Sequence, residues 1–329
     1  DWSSDVCSSD LGTVDLQTIR PLAYGRRAIA GNVRYEMNDI GALNAGTTDT
    51  GTRYSLSYID QFADDTIGVA IGYAHITSPY QSERFNAWGY PNATPTSLVI
   101  GGTKPYVMSS ELERDGFAGT LEWRPNDRFS STIDAFYSEF QNTQILRGIE
   151  FPLAWGGSSG ACGTPQVQTA TCRPGPVLTT TTTEDGFVTA GSFSNVKGVV
   201  RNDVNTRDST ITSLGWNTKF QASDDWGFAL DLNYSKVERS DIILETYSGT
   251  GRDVTGTLDT LGFTIDNDGV PTFSSRLNYA DPNLIRLTSP QGWGGDVIPG
   301  GQDGYFNTPT VNDELKAIRV SGRRELHQS

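Results

Sequence analysis

The stretch GFAGTLEWRPNDRFSSTIDAFYS, Gly116 to Ser138, decides the fold class. On an extended chain Phe117, Gly119, Leu121 and Trp123 fall on one side, and Ala118, Thr120, Glu122 and Arg124 on the other. After Pro125-Asn126-Asp127 the alternation resumes, with Phe129, Ile133, Ala135 and Tyr137 opposing Ser130, Thr132, Asp134 and Ser138. Period-two patterning on both sides of an Asn/Asp turn predicts an antiparallel hairpin with one greasy and one polar face.

The same grammar recurs outward in both directions. Thr212, Leu214, Trp216, Thr218 and Phe220 lead into Ser223-Asp224-Asp225, and Trp226, Phe228, Leu230, Leu232 and Tyr234 lead out. Tyr54, Leu56 and Tyr58 precede Ala63-Asp64-Asp65, and Ile67, Val69, Ile71 and Tyr73 follow it. One more strand is read at Ile29, Val33, Tyr35 and Met37, and a last one, less regular, from Leu315 to Arg324. Eight strands are therefore expected, over 26–38, 53–62, 66–76, 112–124, 128–140, 208–221, 226–239 and 312–324. Each is long enough to cross a bilayer when tilted.

The connections alternate in length. Three are tight Asp/Asn turns, whereas 77–111, 141–207 and 240–311 hold 35, 67 and 72 residues rich in Gly, Ser, Thr, Pro and Asn. Thr257–Asn267 and Thr272–Asn278 are expected to form a hairpin of their own across Asp268-Gly269. Structureless insertions of that size inside a compact soluble domain would count against the strand assignment, but short turns on one side and long loops on the other are the habit of outer-membrane barrels. Trp123 and Phe129 flank one turn, Phe220 and Trp226 another, and Phe62 lies beside the third, as an interfacial girdle would require. Aromatic residues capping a sandwich core would give the same placement, so both readings stand at this point.

Composition narrows the function. With 39 acidic against 25 basic residues the formal net charge is −14, which argues against phosphate-backbone recognition, so no nucleic acid is expected as a partner. No apolar run approaches the length of a membrane helix, and mean hydropathy is −0.40; neither excludes a membrane, because barrel strands are apolar only on alternate residues. His75 and His327 stand in no pattern with metal-ligand spacing, so neither a metal site nor a cofactor is expected. The opening DWSSDVCSSD has the character of translated sequencing-adapter read-through, and residues 1–11 are read as a non-native leader.

Gly12-Thr13-Val14-Asp15-Leu16-Gln17-Thr18 followed by Arg20-Pro21-Leu22, with LEWRPNDRFSSTIDAFYSEF, ILRGIEF, VVRNDVNTRDST and DLNYSKVERSDIILETYSG further on, resembles the TonB-dependent receptors of Gram-negative outer membranes. The resemblance implies the end of a plug domain and linker over 12–23, the early part of a β-barrel over 24–326 and a tail at 327–329. The fold expected is an antiparallel transmembrane β-barrel, present here as an incomplete open curved sheet of about eight strands with long loops. Members of the family close roughly 22 strands around a plug. It also implies the partners: outer-membrane lipid, a small-molecule substrate, and the TonB energy-transducing complex acting through the plug. Iron-siderophore import is the favoured cargo, with carbohydrate as the second. The alternative from the residues alone is a secreted glycan-binding adhesin or lectin-like β-sandwich.

No chemistry-bearing constellation suggests an enzyme. Asp64-Asp65 and Asp224-Asp225 sit in turns, where Asp bonds its own backbone. Ser158-Ser159 lacks a strand-to-helix context, and Gly101-Gly102-Thr103-Lys104 lacks phosphate-loop spacing. Ligand contacts are expected from loop aromatics able to stack on rings: Trp88, Tyr90, Trp155, Tyr247, Trp293 and Tyr305. Cys162 and Cys172, both in the second loop, are expected to form a disulfide in an exported protein, with two free thiols as the alternative.

Overall fold

The computed structural model describes residues 18–266 and 268–325. The leader 1–11, the plug strand before Thr18 and the tail 327–329 lie outside the described residues. The chain is all-β: 65% of it is strand, and the one helix among the described residues is the single turn Pro21–Tyr24. Eight long strands carry the architecture: β1 (Ala28–Met37), β2 (Thr50–Phe62), β3 (Ile67–Ala87), β4 (Gly102–Asn126), β5 (Phe129–Pro152), β6 (Val199–Gln221), β7 (Trp226–Thr246) and β8 (Thr310–Arg324). They pair in sequence order, every pair antiparallel. Among the described residues β1 pairs only with β2 and β8 only with β7, so the sheet is open and no closed barrel is formed.

The eight long strands and their order match expectation; their lengths do not, and three short segments, Ser248–Gly249, Arg286–Leu287 and Gly304–Asn307, bring the sheet to eleven strands. β4 was expected over 112–124 and runs from 102 to 126, β5 was expected over 128–140 and runs on to 152, and β3, β6 and β7 also reach well past their expected ends. The physical reason lies in the pattern of the extensions. Glu111, Glu113 and Asp115 occupy the same side of β4 as Phe117 and Leu121, so apolar alternation stops while ladder pairing continues. A strand with polar residues on both faces carries no hydrophobic signal.

The loops are a second correction, because they are folded. Segments Asn92–Thr94 and Ser97–Leu98 from the first loop, Val177–Glu184 and Phe187–Val196 from the second, and Asp259–Ile265 and Pro271–Ser275 from the third knit into one six-stranded sheet. The last pair is the hairpin expected over 257–278. This cap holds the hydrophobic core cluster: Val99, Ile100, Phe151, Leu153, Val188, Phe193, Val196, Leu261 and Phe263. Cys162 and Cys172 are joined in a disulfide, their Cα atoms 4.9 Å apart.

The eight-strand sheet has no comparable core. Its apolar face is in the open, with Leu56 59%, Ile71 55%, Phe117 51%, Leu121 43% and Leu214 47% exposed, and among the described residues no second sheet covers it. The polar face holds Thr120, Asp134, Asn217 and Asp231, and the segment Thr18–Gly25 lies across it. Arg20 pairs with Asp134 at 3.1 Å, the Leu22 amide donates to Glu122 at 2.8 Å and Gln61 donates to the Pro21 carbonyl at 2.8 Å.

Candidate functional site

Two rows of rings bound the apolar face. At the turn end stand Phe62, Trp123, Phe129, Phe220 and Trp226, with Trp123 edge-on to Phe129 at 5.2 Å. Toward the loop end stand Tyr54, Tyr73, Phe117, Tyr137 and Tyr234; Phe117 lies directly opposite both Tyr73 and Tyr137, and its ring is 4.7 Å from that of Tyr73. From Trp226 to Tyr234 the chain advances about 26 Å at strand rise. Trp226 to Tyr234 is nine residues, and a tilted transmembrane β-strand takes about nine to eleven. Between the rows Gly72, Gly119 and Ala135 leave an apolar groove of about 750 Å³ walled by larger side chains.

Where the strands meet the cap, the polar face carries a buried ion cluster. The Arg201 guanidinium reaches Glu150 at 2.5 Å, Asp203 at 2.8 Å and Glu245 at 2.7 Å. Lys104 holds the other Glu150 oxygen at 3.1 Å, and the Tyr106 hydroxyl donates to Glu150 at 2.5 Å. Two cations thus face three carboxylates in a setting where a charge persists only if paired. Burial works against the Arg201 cation, but Asp203, Tyr106 and Glu150 outweigh it and raise its pKa. Burial, then the Glu245 carboxylate, pushes the Tyr247 phenol up to about 12.

Three of the six expected ligand aromatics are threaded on this cluster. Lys104 lies over the Trp88 ring at 5.7 Å, Arg201 over the Tyr247 ring at 4.8 Å, and Tyr247 meets Trp293 edge-on at 5.7 Å. Gly102 makes room for Trp88, since a Cβ there would lie 2.3 Å from the ring. The other three sit apart: Trp155 covers Gly89 and Gly101, Tyr90 touches Phe187 at 5.8 Å, and Tyr305 is exposed beside Glu245 in the ladder. Lys104, Tyr106, Glu150, Arg201, Asp203 and Glu245 are absent from the sequence expectation because all lie in segments read as loop. Their parity with Thr120, Asp134 and Asn217 along unbroken strands is the signal that would have found them.

A third cluster locks the loops together. Lys197, among the most buried side chains, donates to the carbonyls of Asp253 (2.6 Å) and Thr255 (2.5 Å). Arg173 and Ser159 both reach the Asp253 carboxylate, and Gln168 donates to the carbonyls of Val254 and Gly256. Burial, and then the nearby Arg173 cation, lowers Lys197 to about 8.

Among the described residues one grouping has metal-ligand types, His75, Glu113 and Asp115, on the face that carries Tyr73. Hydrogen bonds account for the first and last: His75 Nδ1 meets Asp115 at 3.0 Å, His75 Nε2 meets Thr77 at 3.2 Å and Tyr73 donates to Asp115 at 2.5 Å. Compared with protein-family models, with curated proteins and with solved structures, the chain matches none.

Proposed function

We propose that this chain is the early-barrel part of an outer-membrane receptor and transporter that imports a scarce small-molecule nutrient by TonB-dependent active transport. One observation carries the reading: an uncovered apolar face, bounded by two rows of rings about one transmembrane strand's length apart, backs a polar face that is occupied by the linker segment Thr18–Gly25. In water so large an apolar patch calls for a cover; in a bilayer, lipid is the cover. A secreted sandwich would place a second sheet there.

In this reading the polar face lines the passage, and the cap and the Arg201 cluster stand on the cell-surface side. The strands pass the upper ring row by a long way, with Gly102 about 50 Å from Phe117 along β4 at strand rise. They would carry the cap clear of the lipid. Trp88, Tyr247 and Trp293, backed by Lys104 and Arg201, give the mouth ring surfaces and fixed charges suited to a polar, ring-bearing solute such as an iron-siderophore chelate.

Uptake decides the reading. In a strain deleted for the intact parent gene, import of ferric chelates is expected to fall and to return on complementation. Unchanged uptake of both ferric chelates and sugars would overturn it.

A further inference from the structure

At the turn end of the polar face lies a cleft of about 250 Å³ between the linker and strands β5 to β8. Arg20, Asp134, Lys219, Asp231, Arg319 and Ser321 line it. Its carboxylates are engaged. Asp134 accepts from Thr18, Arg20 and Thr120, and Asp231 accepts from Asn217. Of its cations, Arg20 is paired with Asp134, whereas neither Lys219 nor Arg319 has an ion-pair partner among the described residues, although Arg319 stands opposite Asp231 in the ladder. Three cations therefore face two carboxylates, in a chain whose net charge is −14. The unused groups include an ammonium, a guanidinium fork and the Ser321 hydroxyl beside the amide of Asn233.

We infer that this cleft binds a small multivalent oxyanion, carrying phosphate or carboxylate groups, between Lys219 and Arg319. A planar guanidinium and a mobile ammonium are the two groups that recognise such anions, the first by a paired fork and the second as a point charge. The linker is part of the site through Arg20. While Arg20 neutralises Asp134, the cleft has a positive excess. With Arg20 withdrawn, Asp134 faces the cleft uncompensated and the excess disappears. A bound anion is then released as the linker moves, which places the site on the exit side of the passage proposed above and rests on that reading for its role, though not for its binding.

The test is calorimetric titration of inorganic phosphate and, separately, citrate into the full chain in zwitterionic detergent at low ionic strength. Saturable binding of at least one is expected. Lys219→Gln with Arg319→Gln should weaken it 10-fold or more, and Arg20→Gln several-fold. Asp231→Asn should tighten it, a gain that misfolding cannot imitate. Absence of saturable binding by either anion, or equal affinity in the wild type and the double variant, overturns the site. A chain that stays out of lipid vesicles yet binds anions in this pattern overturns the passage reading and leaves the site standing.

Discussion

The sheet and the cap are built of the same kinds of residue by opposite rules. The cap encloses Phe193, Val196, Leu261 and Phe263 at 3% exposure or less and ties its loops with a disulfide and a buried lysine. The sheet turns Leu56, Phe117, Leu121 and Leu214 outward and buries mostly polar groups, Thr120 and Ser138 among them. A cap of this kind is stabilised by water's exclusion of apolar surface. The sheet is held together by its backbone ladder, and in the proposed reading lipid covers its outer face. The difference teaches that apolar burial in this molecule is concentrated in the cap, while the sheet leaves its apolar face uncovered.

Breaking the cap core should give the largest effect. Phe193→Ala removes a ring stacked on Phe263 at 5.7 Å, and about 3–5 kcal/mol of local stability is expected to go with it. Hydrogen exchange should rise across the cap segments 177–196 and 259–275 and stay unchanged across β2 to β4. A rise of equal size in both regions would mean that they are not separate stability units.

The buried lysine gives the next effect and a pH signature. Lys197 titrates near 8 in the folded cap and near its ordinary value of about 10.4 when unfolded. Between those values the unfolded chain holds more protons, so cap stability should rise with pH across that window, by up to about 3 kcal/mol. Urea titration followed by cap hydrogen exchange at pH 7.5 and pH 10 measures it. Lys197→Met should abolish the slope and lower stability, because two buried carbonyls lose their donor.

How much of this was legible follows from the same contrast. Alternation around Pro125-Asn126-Asp127, Ala63-Asp64-Asp65 and Ser223-Asp224-Asp225, with the runs at Ile29–Met37 and Leu315–Arg324, locates the eight long strands and their order, because one apolar and one polar face leave a period of two. Strand ends were missed where Glu111 and Glu113 share a face with Phe117: the pairing there is held by backbone bonds that the side chains do not announce. The cap was missed because its core joins Val99, Phe193 and Leu261 from three distant loops, and no local pattern reports such contacts. At the ion cluster the aromatic half was foreseen in Trp88, Tyr247 and Trp293. Its charged half was not, since Lys104, Glu150 and Arg201 become a set only once three strands are aligned.

The turn end offers the smallest effect and a check that the sheet has local stability of its own. Ala63 sits at φ 55°, in the left-handed region that costs a side-chain-bearing residue about 1 kcal/mol. Ala63→Gly should stabilise the β2–β3 hairpin by up to about 1 kcal/mol in detergent and leave cap exchange rates untouched. A change confined to the cap would contradict the separation of the two regions.

The most direct test of the central contrast is tryptophan quenching by lipids brominated along their acyl chains. Trp216 lies on the apolar face level with Ile133 and Leu121, whereas Trp155 lies in the cap against Gly89 and Gly101. In single-tryptophan chains reconstituted into such vesicles, Trp216 should be strongly quenched, with maximal effect from bromines deep in the bilayer, and Trp155 should be unaffected. Equal quenching at the two positions, or none at Trp216, would contradict the assignment of the sheet to lipid and the cap to water.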